Sequence, residues 1–209
     1  MRNLTPQQLL DHSELIYTQE AVTVAIARLS VEIIDSLQDA QPIVLCVMGG
    51  GVVFTGQLLT QLNFPLELDY VHASRYQNKT VGLTLDWQAL PKLDLNGRTV
   101  LIVDDILDEG ITLLAIQEKC LALGAKQVFS AVLVEKTLDH AKPIRADFVG
   151  LTVPNRYVFG YGMDAYGWWR NLPGIYALNL RKFTGDFDAK LALDQTFWVK
   201  VPYNAQVIF

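Results

Sequence analysis

The stretch VLIVDDILDEGIT, Val100 to Thr112, holds four carboxylates, Asp104, Asp105, Asp108 and Glu109, and no basic residue. Carboxylates accept hydrogen bonds from sugar hydroxyls or stand near Mg²⁺, and the backbone N–H groups of a turn that opens a helix bind phosphate. Such charges tolerate one another when cations and hydroxyls lie between them. Val100–Val103 reads as a buried strand, so Asp104 and Asp105 emerge at its carboxyl end. Asp108, Glu109, Gly110, Ile111 and Thr112 then form the turn into the next helix. Gly110 suits a backbone that approaches phosphate oxygens where a Cβ would obstruct.

The rest of the chain supplies elements to position that corner. Thr5-Pro6 reads as a helix cap followed by proline in the first turn. Thr18 caps a longer helix whose Val22, Ile26, Leu29, Ile33 and Leu37 recur at helical spacing, so the first forty residues are expected to be mostly helix. IVLCVM followed by Gly49-Gly50-Gly51 and VVFTGQLLTQL reads as strand, glycine turn, helix. LELDYVHA and TVLIVDDI are further strands, TLLAIQEKCLALG is a helix that Gly124 ends, and QVFSAVLVEK and ADFVGLTVP complete the strands. Strands that are apolar on both faces and alternate with helices imply an α/β protein with a mostly parallel sheet covered on both sides. In such a sheet, ligands sit at the carboxyl ends of the strands, where the acidic stretch lies.

Bulk properties narrow the partners. The 209 residues are 51% hydrophobic, enough for one domain with a real core. A net charge of −5 without long charge runs argues against nucleic acid and against a polybasic membrane patch. Cys46 and Cys120 each lie in an apolar run and read as free buried thiols, which fits a reducing compartment. No signal-peptide stretch or membrane-length apolar window is present, so the expected location is cytoplasmic. His12, His72 and His140 show no metal-ligand spacing, and no G-x-x-x-x-G-K-[ST] occurs.

Three readings compete for the acidic stretch. It could be a plain acidic loop at a helix N-terminus, which the dipole favours. It could be the acid pair of a receiver domain, but about a hundred residues precede it, and Asp147 begins a strand where a phospho-acceptor should end one. The third reading accounts for most of the residues: strand, two acids, two apolar residues, Asp, any residue, Gly, any residue, Thr resembles the phosphoribosyl-pyrophosphate (PRPP) signature of type I phosphoribosyltransferases. The resemblance extends along most of Leu9–Leu178 and is greatest to the hypoxanthine-guanine branch. It implies that fold with a small hood, from the N-terminal segment and about residues 155–209, on a single domain spanning 1–209.

By the same resemblance, Asp104 and Asp105 serve the ribose hydroxyls, and the Asp108–Thr112 turn the 5′-phosphate. VLCVMGGGVVF matches the pyrophosphate loop, with Met48, Gly49 and Gly50 in binding positions and a cis peptide implied at Met48–Gly49. A basic residue often stands in the family where Gly49 does, and Glu where Asp104 does. LVEKTLD makes Lys136 the donor to purine O6. VPNRYVFGYGMDAYGWWRNLPGIYAL makes Tyr157 the ring that stacks on the base, Val158 a source of backbone groups for its edge, Asp164 a residue near Mg²⁺ and the 2-position, and Arg170 a pyrophosphate ligand. Mg²⁺ is the implied cofactor, held by Asp104, Asp105 and Asp164, partly through water. Asp108 becomes the candidate general base.

The implied activity is purine salvage, moving the 5-phosphoribosyl group from PRPP to N9 of hypoxanthine or guanine and giving IMP or GMP plus pyrophosphate. The resemblance also implies a homodimer or homotetramer. Ser74–Asp86 lies where the family has its mobile lid, with the usual serine-tyrosine pair interrupted as Ser74-Arg75-Tyr76. Two alternatives stay open: a xanthine-preferring transferase, and a pyrimidine-operon regulator that grips RNA on the same fold. The end, residues 179–209, is unassigned, although Phe197, Val199 and Val201 alternate like a strand.

Overall fold

In the computed structural model, residues 5–75 and 85–179 are described. The six-stranded main sheet is built from β2 (Ile43–Val47), β3 (Glu67–Arg75), β4 (Leu85–Ala89), β5 (Thr99–Leu107), β6 (Gln127–Lys136) and β7 (Phe148–Val153). Its order is β4-β3-β2-β5-β6-β7. All neighbouring pairs from β3 to β7 are parallel; β4 closes the edge antiparallel to β3. The parallel core matches the sequence expectation, and the antiparallel edge was not anticipated.

The reason for two apolar faces is visible in β5. Leu101 and Val103 join the cluster under helices α2 (Gln19–Leu37) and α3 (Gly51–Leu59), while Val100 and Ile102 join the cluster on the opposite face with α4 (Ile111–Ala122). The five apolar residues expected on α2, Val22, Ile26, Leu29, Ile33 and Leu37, are all buried against the sheet. Each such burial is worth about 1.5–3 kcal/mol. Thr18 caps α2 by accepting from the Ala21 N–H. Thr5 and Gln8 form a reciprocal capping box at α1 (Pro6–Asp11). Cys46 and Cys120 are free and buried, and burial pushes the Cys120 thiol up to about 11.

Helices α1 and α2 make up most of the first forty residues, as expected, but a strand that periodicity did not announce lies between them. Ser13–Tyr17 form strand β1, which pairs antiparallel with β9 (Ile175–Leu178), and β9 in turn pairs with β8 (Val158–Phe159). Local pattern lost here to a partner more than 150 residues away, since Ser13 sits opposite Leu178. This three-stranded sheet forms a hood with its own small core of Leu9, Phe159, Ala165 and Leu178. The Trp169 indole N–H donates to the Pro6 carbonyl at 2.6 Å and so fastens α1 to the hood. No described helix is long and apolar enough to cross a membrane.

Candidate active site

Strand β5 sets the site. Its pairing with β2 ends at Cys46↔Val103, whereas its pairing with β6 continues to Leu107↔Glu135. The strand runs on past Val103, as the reading of TVLIVDDI implied, and carries Asp104 and Asp105 beyond the point where β2 leaves. A crevice of about 280 Å³ opens there, bringing together Met48, Gly50, Asp104, Asp105, Asp108 and Gly110. With Ala73 of β3, three segments distant in sequence thus meet at the carboxyl edge of the sheet.

Asp104 and Asp105 are each only 8% exposed. The Asp104 carboxylate accepts the Asp105 N–H at 2.9 Å. Burial, and then the neighbouring Asp105 charge, raise Asp104 well above the ordinary carboxylate range. Burial also raises Asp105, although its bond to Asp104 and the nearby Arg170 charge oppose this. Two buried acids held this way favour a cation or hydroxyl donors between them.

Met48 and Gly49 are exposed, Gly50 is half-buried, and Gly51 opens α3. The peptides of the described residues are trans, so the cis bond expected at Met48–Gly49 is absent. Gly49 instead turns the chain with φ +97°, an angle glycine adopts without steric penalty. Gly50 faces Asp105 so closely that a Cβ there would overlap the carboxylate. From the other side, a Cβ on Gly162 of the hood would overlap the Gly50 carbonyl. Two backbones meet at this point without a side chain between them.

The hood segment after β8 holds Arg170 and Asp164 together. Arg170 Nη2 is 2.7 Å from Asp164 Oδ1, and Arg170 Nη1 donates to the Gly162 carbonyl at 2.7 Å. The other Asp164 oxygen accepts the Gly167 N–H at 2.7 Å. Tyr161, Tyr166 and Trp169 all take positive φ here, between 51° and 69°. Non-glycine residues in that region cost about 1–3 kcal/mol each and cluster at functional sites. Tyr157 stacks on Tyr166 with centroids 5.6 Å apart and planes 10° from parallel, a partner the sequence did not suggest. Val158 is buried in β8 opposite Ala177.

On the β6 side, Lys136 Nζ lies 3.0 Å from Asp108 Oδ1, and the Lys136 side chain is 12% exposed. The proposed O6 donor and the proposed general base thus touch. Glu109 contacts His140 at 3.0 Å, and this contact, followed by Asp139, raises the His140 pKa. Gly110 begins α4 with φ +83°, and Ile111 and Thr112 form the first turn with their backbone N–H groups at its open end. Ser74 and Arg75 end β3, whereas Tyr76 and the rest of the expected lid up to residue 84 lie outside the described residues. The unassigned tail from 180 onward also lies outside them.

The crevice fits Mg²⁺ in the manner that ion prefers. Among the described residues no three His, Cys, Asp or Glu side chains form a metal cage. Mg²⁺, however, is commonly bound by one or two carboxylates with substrate phosphates and water completing its shell. Asp104 and Asp105 offer such a hard-oxygen pair, while Asp164 is engaged by Arg170.

The site thus combines a strand exit bearing an acid pair, a glycine turn into a helix and a hood. A family model described as a phosphoribosyl transferase domain matches residues 12–165, and the chain belongs to the type I phosphoribosyltransferase family. The hypoxanthine-guanine-xanthine phosphoribosyltransferase of Tritrichomonas foetus is 32% identical over 185 residues, covering 87% of this chain and 100% of that protein. The hypoxanthine-guanine phosphoribosyltransferase of Bacillus subtilis (strain 168) is 32% identical over 170 residues, covering 80% and 94%. The solved hypoxanthine phosphoribosyltransferase of Staphylococcus aureus shares the fold with a TM-score of 0.78 at 24% identity, over 87% of this chain and 99% of that one.

Proposed function

We propose that this chain transfers the 5-phosphoribosyl group of PRPP to N9 of hypoxanthine or guanine, with IMP or GMP and pyrophosphate as products. The observation that carries this reading is the contact of Lys136 with Asp108 at the rim of the Asp104–Asp105 crevice. It places a fixed donor beside a carboxylate acceptor, complementary to O6 and a protonated N7 on one edge of a 6-oxopurine. Adenine would present an amine to Lys136, leaving the N–H directed at position 6 without an acceptor at a cost on the order of 1–3 kcal/mol.

Each residue then has a task. Asp104 and Asp105 accept from the ribose 2′- and 3′-hydroxyls. The backbone N–H groups of the Asp108–Thr112 turn hold the 5′-phosphate. Asp108 takes the N7 proton as N9 bonds to C1′ and the C1′–O bond to pyrophosphate breaks, a change with oxocarbenium character. Arg170, with the backbone of Met48, Gly49 and Gly50, receives the departing diphosphate, for which a planar guanidinium fork is suited. Mg²⁺ bound by the acid pair and substrate oxygens would neutralise charge on the leaving group. Tyr157 supports the base by stacking, Val158 offers backbone groups to its edge, Asp164 lies near its 2-position, and Ser74, Arg75 and Tyr76 belong to a lid that excludes water.

Xanthine stays within this reading as a further base, since one relative is named for all three. The purine names of the relatives speak for an enzyme rather than an RNA-binding regulator. A cytoplasmic homodimer or homotetramer is part of the same proposal, with light scattering as its check. The central test measures PRPP-dependent consumption of hypoxanthine, guanine, xanthine and adenine side by side with Mg²⁺. Turnover of 6-oxopurines far above that of adenine is expected; no turnover of any purine would end the reading.

A further inference from the structure

We propose that Lys142 is a positioning residue for this transfer: its ammonium ties the exit of β5 to the exit of β6 and thereby sets Asp108 against Lys136. The proposal rests on the function proposed above. Lys142 Nζ donates to the Leu107 carbonyl at 3.1 Å, to the Lys136 carbonyl at 2.6 Å and to Glu135 Oε1 at 3.1 Å. An ammonium has three N–H groups, and here three acceptors meet it. Its side chain is 8% exposed, so leaving any of those donors unmet would be costly.

The location of the two carbonyls gives the contact its meaning. Leu107 immediately precedes Asp108, and the second carbonyl belongs to Lys136 itself. Both lie where the β5–β6 ladder runs out at Leu107↔Glu135, so that ladder alone no longer fixes their separation. The same connection backs the phosphate turn at two further points. A Cβ at Gly110 would stand 3.1 Å from Ile144 Cγ2 and 3.4 Å from Pro143 Cδ, and His140 reaches Glu109 at 3.0 Å. Residues 140–144 thus brace residues 107–110 from behind, with the ammonium as the polar centre of the brace.

The effect should appear in base selection rather than in stability alone. The full-length chain is assayed with PRPP and Mg²⁺, using hypoxanthine and adenine as acceptors, and circular dichroism checks the fold at the assay temperature. If the wild-type chain uses neither base, the functional reading itself fails. If it uses hypoxanthine, Lys142→Met should lower kcat/KM for that base on the order of 10–100-fold, the scale of a small misplacement at a reacting centre. The ratio of hypoxanthine to adenine use should fall with it, because Lys136 is no longer held at O6. Lys142→Arg, which keeps a cation and its donors, should restore the ratio to within about threefold of wild type. A mere stability cap would lower the melting temperature and leave the ratio alone. Should Lys142→Met not fold, the ratio is read in Lys142→Gln, whose shorter neutral amide reaches only part of the acceptor set, and a fall is again expected. A folded variant of either kind with the wild-type ratio overturns the proposal.

Discussion

Asp108 stands 3.0 Å from a lysine at the edge of the crevice, and its carboxylate is the group whose loss should be felt most directly in the chemistry. Asp108→Asn keeps the shape but cannot take a proton from N7. We expect kcat to fall about 10²–10⁴-fold with little change in KM for PRPP, measured by steady-state kinetics with hypoxanthine. An unchanged kcat removes Asp108 from the mechanism. The Asp104–Asp105 pair makes a different prediction. Burial raises both above their unfolded values, and for Asp104 the neighbouring Asp105 charge adds to it, so the folded state binds more protons than the unfolded chain between those values. Stability of the ligand-free protein should therefore decline as pH rises from the unfolded carboxylate value through the folded ones. Asp105→Asn should relieve that penalty and raise the melting temperature at neutral pH by roughly 2–4 °C, as about 1 kcal/mol does for a chain of this size. The same substitution should abolish most of the transferase activity. A lowered melting temperature would show that the second carboxylate stabilises the fold.

The acid pair and the Asp108–Thr112 turn were legible because strand, acids, glycine and threonine lie within thirteen consecutive residues. Lys142 was not. A lysine in a polar connection ordinarily has its head in water, and nothing in the local sequence says that two strand exits converge on it. The stacking of Tyr166 on Tyr157 was hidden for a similar reason, since it depends on a left-handed residue at φ 54° that propensity does not announce.

Among the elements, those with continuous apolar runs or strong helical spacing read correctly: α2, β2, α3, β5 and β6. The strands of the hood did not. Ser13–Tyr17 has no clean alternation, β8 is two residues long, and each is held by a partner distant in sequence. In β4, Leu85, Trp87 and Ala89 are half-buried and alternate with exposed neighbours, a short signal whose first residues fall inside the run read as a lid. Caps give a direct test at this scale. Thr18→Ala removes the acceptor for the Ala21 N–H at the start of the nineteen-residue α2 and should cost about 0.5–2 kcal/mol in chemical denaturation. A change below a few tenths would mean that water serves that N–H equally well.

For the molecule as a whole, Val158, Ile175 and Ala177 of the hood sheet join the core beneath the main sheet while Phe159 and Leu178 join the small hood cluster, and the proposed ligand-binding residues come from both parts. Ligand that contacts both parts should stabilise the native chain by RT ln(1 + [L]/Kd), or about 2.7 kcal/mol at a hundredfold excess over Kd. Product nucleotide should accordingly raise the melting temperature. Adding a chelator should remove most of the extra rise given by PRPP with Mg²⁺, while leaving the ligand-free transition unchanged. A PRPP-induced shift indifferent to the chelator would count against the metal's assigned place. The layered arrangement was foreseeable from alternating strands and helices. That the hood joins the N-terminal segment to the region after residue 155 was implied only by the resemblance, because its contacts link residues near 10 to residues near 170.

Where Gly162 leans on Gly50, main chain rests directly on main chain. No side chain there can swing aside to absorb a displacement, so tilting the hood must also shift the peptide that faces Asp105. The two walls of the cleft consequently behave as one mechanical part, and an insertion or a grafted hood that alters its seating by even a fraction of an ångström would reshape the proposed diphosphate berth on the opposite side.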